Sequence, residues 1–295
     1  MKIVKFAGAD ERARWGAIDS EGRHVTPFTD QFATWARLVT EGDASAIEYS
    51  DERIALEGLQ LLAPVETGGR VFGLGMNYST HLARLGHKAP PPHPVAFLKT
   101  DSAVVDPGGE IRYPAMTNQL DYEVELVAVV GRPLRDEDED PTACLLGYTV
   151  GNDISARDAG KQLEKKSDFF SHKSCDGTAP IGPWIVTIDE IGLGQPELDI
   201  MLRVNGEERQ NDNTRNMVFS MGELLNFVDI RIRVRPGDVL FTGTTFGVGL
   251  EDGRLLQPGD LVETEVRQIG VLRNRVGPKS VPSPNRLKGR IGMPL

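Results

Sequence analysis

Three acidic residues carry the strongest chemical signal in the chain. Glu123 and Glu125 stand two apart in Asp121-Tyr122-Glu123-Val124-Glu125-Leu126. On a strand, residues two apart share a face, so their carboxylates point the same way, about 7 Å apart. Like charges so placed repel unless a cation lies between them. Val127 and Val129 continue that face as apolar and direct the pair toward an interior. A solvated strand edge is the plainer alternative. Asp153 follows the apolar run Gly147-Tyr148-Thr149-Val150, a place where acids also cap turns. As a third carboxylate it would complete an all-oxygen site. Such a site suits Mg²⁺, Mn²⁺ or Ca²⁺ better than Zn²⁺, because hard cations prefer oxygen.

A base and a cation are the next requirement. His81, in Asn77-Tyr78-Ser79-Thr80-His81, has the best context for a base among five histidines. It precedes the loop Ala89-Pro90-Pro91-Pro92-His93-Pro94, and a packing role is its alternative. His24, His87, His93 and His172 have no comparable setting. Lys173 lies in His172-Lys173-Ser174-Cys175-Asp176-Gly177, where a lysine is ordinarily solvated. The glycine-dense run Gly243-Thr244-Thr245-Phe246-Gly247-Val248-Gly249 could bring backbone amides to a ligand, or simply turn. Gly73-Leu74-Gly75 lacks the third glycine and the helix of a dinucleotide site.

These residues need strands to hold them. Asp121 to Val130 and Leu145 to Val150 read as strands. Asn205-Gly206 marks a hairpin, because both residues tolerate positive φ. Pro236-Gly237-Asp238 and Pro258-Gly259-Asp260 each lead into an apolar strand. Ser220-Met221-Gly222-Glu223 is a capping box that opens a helix through Leu224, Leu225, Phe227 and Val228. A helix with Phe32, Trp35 and Leu38 on one face is expected in the first 65 residues. The sum is a β-rich α+β fold, not an alternating βαβ chain.

The 295 residues are 39% apolar, enough for a substantial core, and carry a net charge of -10. Nucleic acid and anionic membranes repel such a chain. Cys144 and Cys175 fit no metal spacing and are expected as free thiols. The N-terminus Met1-Lys2-Ile3-Val4-Lys5-Phe6 has no signal-peptide pattern, and no apolar run could span a bilayer, so the cytoplasm is the expected location.

Taken in order, the motifs resemble the fumarylacetoacetate hydrolase family. The likeness runs through Gly75-Met76-Asn77-Tyr78 with His81, Phe97-Leu98-Lys99, Asp121 to Leu126, and Gly147-Tyr148 with Asn152 to Asp158. It continues through Lys173-Ser174, Pro180-Ile181-Gly182-Pro183, Val204-Asn205-Gly206, Pro236-Gly237-Asp238, Thr242-Gly243-Thr244 and Gly259-Asp260. The resemblance implies a rolled β-sandwich over residues 66–276 and a small α/β domain over 1–65, while residues 277–295, with Lys279, Arg286, Lys288 and Arg290 and no acid, read as a basic solvated tail or dimer arm. It implies a homodimer acting on a small carboxylate substrate. It implies that Glu123, Glu125 and Asp153 hold one Mg²⁺ or Mn²⁺, with His81 as base and Lys173 as the site lysine. Tyr78, Arg157 and Thr244 fall where members contact substrate.

The implied chemistry runs through an enolate of a 2-oxo or 1,3-dioxo acid. Hydrolysis of a C–C bond in an acylpyruvate-like or fumarylacetoacetate-like compound leads. An isomerase, keto–enol tautomerase or decarboxylase comes next, and a non-catalytic metal- or ligand-binding protein last. Several positions depart from the family pattern. Hydrolytic members carry a glutamate three residues after the histidine, where this chain has Arg84. Gly160 replaces a glutamine, Thr245 a proline, and Cys175 an aromatic. Glu164 or Asp168 is the expected substitute partner for His81, and Arg84 is a candidate contact for a second anionic group.

Overall fold

A computed structural model describes residues 1–159 and 168–282. The first segment holds β1 (Lys2–Ala7), β2 (Ala13–Ile18), β3 (His24–Pro27), α1 (Phe32–Thr40), β4 (Ile54–Ala55) and β5 (Leu61–Leu62). Then come β6 (Val71–Gly75), α2 (Ser79–Arg84), β7 (Val95–Lys99), β8 (Val104–Val105), β9 (Glu110–Tyr113), β10 (Leu120–Asp121), β11 (Val124–Val130), β12 (Leu145–Asn152) and β13 (Ser155–Ala156). The remainder is α3 (Phe169–Lys173), β14 (Ala179–Thr187), α4 (Ile188–Ile191), β15 (Asp199–Val204), β16 (Glu207–Asn213), α5 (Met221–Asp229), β17 (Val239–Phe241), α6 (Gly249–Asp252), β18 (Leu261–Val266) and β19 (Gly270–Lys279).

The β-rich α+β fold is as expected. A twelve-stranded mixed sheet runs β4-β3-β2-β1-β14-β12-β11-β17-β6-β7, with β5 on β1 and β8 on β14. A five-stranded sheet runs β16-β15-β18-β19-β9. The first segment is stitched to the rest by β1, which pairs antiparallel with β14.

β11 is buried along its whole length because its two faces serve two cores. Val124, Leu126, Ala128 and Val130 pack in a core with Ile200, Leu202, Val262 and Leu272 of the smaller sheet. Val127 and Val129 pack in a second core with Phe32 and Trp35 of α1. A strand covered on both sides reads as continuously apolar, which is why the pattern after Glu125 loses its alternation. The α1 face differs from expectation: Phe32, Trp35, Ala36 and Val39 are buried, whereas Leu38 packs only at the rim.

Turn chemistry holds as read. Asn205 and Gly206 adopt φ of 52° and 82° between β15 and β16. Both Pro-Gly-Asp turns deliver strands, β17 and β18, and the capping box at Ser220 forms with both reciprocal hydrogen bonds. β19 extends to Lys279, which pairs with Tyr113 of β9. Arg286, Lys288 and Arg290 of the basic tail lie outside the described residues, as do Gly160 and Glu164. Cys144 and Cys175 are unpaired. No helix among the described residues is long and apolar enough to cross a membrane.

Candidate active site

The three acids converge, though not by the simple strand geometry. Glu125 lies on β11, but Glu123 sits one residue before that strand begins. The backbone of Glu123 is pinned instead to the end of β12. Its N–H donates to Asn152 Oδ1 at 2.9 Å, and its carbonyl accepts from the Asp153 N–H at 2.9 Å. One oxygen from each of Glu123, Glu125 and Asp153 lies within 4.8 Å of the others, and all three residues are buried.

Three cations surround the acids. Lys173, at the end of α3, donates to Glu123 Oε2 at 2.7 Å, Asp153 Oδ2 at 2.6 Å and Ser155 Oγ at 2.6 Å. The local sequence predicts a solvated lysine here, yet the side chain is buried. Lys99, at the end of β7, donates to Asp153 Oδ1 at 2.6 Å and to the Lys173 carbonyl. Arg157 pairs with Glu123 Oε1 at 2.7 Å and donates from Nε to Asp121 Oδ2 at 2.7 Å.

Electrostatics separates the carboxylates. Burial works to raise Glu123, but the charges of Lys173 and Arg157 outweigh it and hold its carboxyl far below the usual range. Glu125 is pushed well above that range, by burial and then by the charges of Asp153 and Glu123. Its side chain accepts one hydrogen bond among the described residues, from the Gly243 N–H at 2.7 Å. A buried acid held up by two neighbouring anions is relieved when a cation joins them. The donors are all hard oxygens, so the cluster fits a divalent ion of the Mg²⁺, Mn²⁺ or Ca²⁺ kind.

His81 lies on α2, buried, close enough to Glu123 and Arg157 for their charges to act on it. Burial lowers its pKa below 6.5, which keeps the imidazole neutral near pH 7. Its Nδ1 is 3.3 Å from Glu251 Oε1 on α6. Among the described residues the carboxylate beside His81 is therefore Glu251 and not Asp168, while Glu164 lies outside them. Asp168 is occupied in capping α3, accepting from Ser171. Asp121 fixes α6 in place by accepting from the Gly249 N–H at 2.7 Å and the Leu250 N–H at 3.0 Å. Through Arg157 the same aspartate is tied to Glu123, so the acid cluster and Glu251 are held in one network.

The remaining expected residues are placed less directly. Arg84 is exposed, with its guanidinium 5.7 Å from the centre of the Phe246 ring. Tyr78 is fully buried, and its hydroxyl finds no hydrogen-bond partner among the described residues. Burial, then the charge of Glu125, raises its pKa well above 10. Thr244 commits its hydroxyl proton to the Val124 carbonyl at 2.9 Å and accepts from Gln210 Nε2 at 3.0 Å. That hydroxyl braces the glycine-dense loop instead of offering a donor to the site. His172, read as having no context, lies with Nε2 3.5 Å from the Arg157 guanidinium.

Two residues of this site were missed. Lys99 left a signal, a lone lysine closing the apolar strand Val95–Lys99. Glu251 left none, because 170 residues separate it from His81.

The profile described as fumarylacetoacetate (FAA) hydrolase C-terminal matches residues 70–277. The chain belongs to the fumarylacetoacetate hydrolase family. A second profile, Rv2993c-like N-terminal, matches residues 1–64. Within the family, the chain is 35% identical to the mitochondrial oxaloacetate tautomerase fahd2 of Xenopus laevis over 292 residues, covering 94% of this chain and 90% of that one. The solved 2-hydroxyhepta-2,4-diene-1,7-dioate isomerase of Mycobacterium marinum superposes with a TM-score of 0.76 at 29% identity, covering 95% of this chain and all of that one. The fumarylacetoacetate hydrolase of Exiguobacterium antarcticum gives a TM-score of 0.76 at 33% identity, with 95% of this chain and all of that one covered. The protein is a fumarylacetoacetate hydrolase-family enzyme, a hydrolase or an isomerase.

Proposed function

We propose that this enzyme interconverts the keto and enol forms of a small 2-oxo dicarboxylate such as oxaloacetate. The observation that carries the reading is a buried imidazole paired with Glu251 beside a cluster that holds a buried lysine. Relatives named as a tautomerase and an isomerase support it. Glu123, Glu125 and Asp153 would hold the divalent ion, taken as Mg²⁺ or Mn²⁺. When bound, that ion supplies Lewis-acid polarisation of the substrate's carboxylate and 2-oxo oxygens. Neutral His81 removes a proton from the carbon beside the ketone, and Glu251 stabilises the imidazolium that forms. Lys173 sets a positive charge against the developing enolate oxygen. Return of the proton to that oxygen completes the enol. Arg84 stands three residues beyond His81 on α2 and offers a cation to the second carboxylate of the substrate.

C–C hydrolysis is the second reading, and a specific contact favours it. An imidazole oriented by a carboxylate is the arrangement that activates water. Glu251 provides that carboxylate although Arg84 occupies the familiar position.

One experiment separates the two. The Mg²⁺-loaded protein is mixed with oxaloacetate and with acetylpyruvate while enol absorbance and products are followed together. Enol–keto conversion of oxaloacetate without acetylpyruvate cleavage supports the tautomerase, and release of two acids from acetylpyruvate replaces it with hydrolysis. For the ion, added Mn²⁺ raises the melting temperature by mass action, and Asp153→Asn abolishes the rise. An unchanged rise in Asp153→Asn places the ion elsewhere.

A further inference from the structure

The proton-transfer side of the site is assembled from three separate segments. α2 brings His81, the run from Thr242 to Val248 leads into α6 with Glu251, and the end of β16 lies against both. One carboxylate joins them. Asp212, on β16, is half-buried and accepts from four donors. Its Oδ2 takes the Thr80 hydroxyl at 2.7 Å and the Thr245 hydroxyl as well. Its Oδ1 takes the Asn213 N–H at 2.8 Å and Asn216 Nδ2 at 2.6 Å. The two threonine hydroxyls are themselves 3.1 Å apart.

These contacts sit where small shifts matter. Thr80 immediately precedes His81, and Thr245 opens the stretch that runs to Glu251. α2 has six residues and no side-chain cap at Tyr78, so its own hydrogen bonds fix it weakly and outside ties must place it. At its root, Asn77 donates to the Thr242 carbonyl at 2.8 Å, and the Asn77 carbonyl accepts from the Val218 N–H at 2.8 Å. Asp212 adds a tie one residue from the imidazole, and hydrogen bonds to a charged acceptor are about twice as strong as neutral ones. The His81–Glu251 contact, at 3.3 Å, spans the two segments that Asp212 clamps.

We propose that Asp212 is a positioning residue: it locks the His81-bearing helix to the Glu251-bearing loop and so sets the geometry of the proton-transfer pair. This rests on the reading of His81 as the proton carrier. Asp212 touches neither the acid cluster nor the reacting atoms, so its removal acts on kcat and leaves ion binding alone.

The test uses Asp212→Ala, Asp212→Asn and Thr80→Val in the full chain, with hydrogen exchange of backbone amides and steady-state kinetics on oxaloacetate. For Asp212→Ala, kcat falls ~10- to 100-fold, the scale expected for misplacement near 1 Å. Exchange at residues 79–85 and 245–251 quickens, exchange in β11 and β12 does not change, and Mn²⁺ affinity stays within about twofold. Asp212→Asn recovers part of kcat because its carbonyl still accepts and its amide can donate to a threonine oxygen. Thr80→Val shows a smaller loss in the same direction and keeps the test open if Asp212→Ala fails to fold. Unchanged exchange in these two segments overturns the lock. Faster exchange with unchanged kcat overturns the positioning role. If the parent enzyme does not turn over oxaloacetate, the proposed function fails, while the exchange pattern still decides whether Asp212 clamps the two segments.

Discussion

His81 and Glu251 are 170 residues apart in the chain and 3.3 Å apart in space. The pair has a consequence for the pH dependence of the reaction. Burial lowers the imidazole pKa, while the Glu251 carboxylate raises it again. Neutralising that carboxylate in Glu251→Gln therefore lowers the His81 pKa further. The base then stays neutral to lower pH, and the acid limb of the kcat/KM profile moves down. The rate itself falls ~10- to 100-fold, because general-base catalysis needs an oriented imidazole. A profile whose acid limb stays fixed in Glu251→Gln removes Glu251 from the proton path. Lys99 belongs to the same scale. It, Lys173 and Arg157 set three positive charges against the three buried carboxylates, so a divalent ion held there would turn the local charge positive and suit an anionic substrate.

Each helix that presents a site residue is short and is placed by its ends. α3 presents Lys173 from its last turn and is capped at its start by Asp168. α6 presents Glu251 and is held by Asp121 at its first N–H groups. α5 is the longer case, and its start was legible in Ser220 and Glu223. Removing the cap hydroxyl in Ser220→Ala leaves an N–H of the first turn without its partner. The expected cost is about 1 kcal/mol, read as a shift in the urea midpoint at unchanged slope. No shift would mean that packing of Met221, Leu224, Leu225 and Val228 alone sets the helix.

The candidate site holds its chemistry on buried and half-buried ionisable groups, which predicts a stability that depends on pH. His172 is pushed down to about 2, first by burial, then by the charges of Lys173 and Arg157. The unfolded chain takes up this proton near pH 6.5, and the folded chain does not. Between those values the unfolded state binds more protons, so folding weakens as pH falls below 6.5. One such group contributes a slope of about 1.4 kcal/mol per pH unit. Glu125, held above its usual range, contributes a slope of opposite sign over the same interval, so the test is a difference: in urea unfolding at pH 7, 6 and 5, His172→Gln should lose less stability on acidification than the parent protein. An equal decline in the variant would assign it to other groups. As for what was readable beforehand, the sequence by itself determined the β-rich class, the Asn205-Gly206 hairpin, the Pro-Gly-Asp turns and the capping box. These rest on φ preferences and on hydrogen bonds between residues a few positions apart. It also marked Glu123, Glu125, Asp153, His81 and Lys173 as chemically capable, because residue type sets what a group can donate, accept or hold. Only the tertiary structure decided which of them meet. It buried Lys173, brought Lys99 to Asp153, gave His81 the partner Glu251, and turned Thr244 to the backbone. Such contacts form between elements distant in the chain, and no local pattern records where a sheet will bring them together.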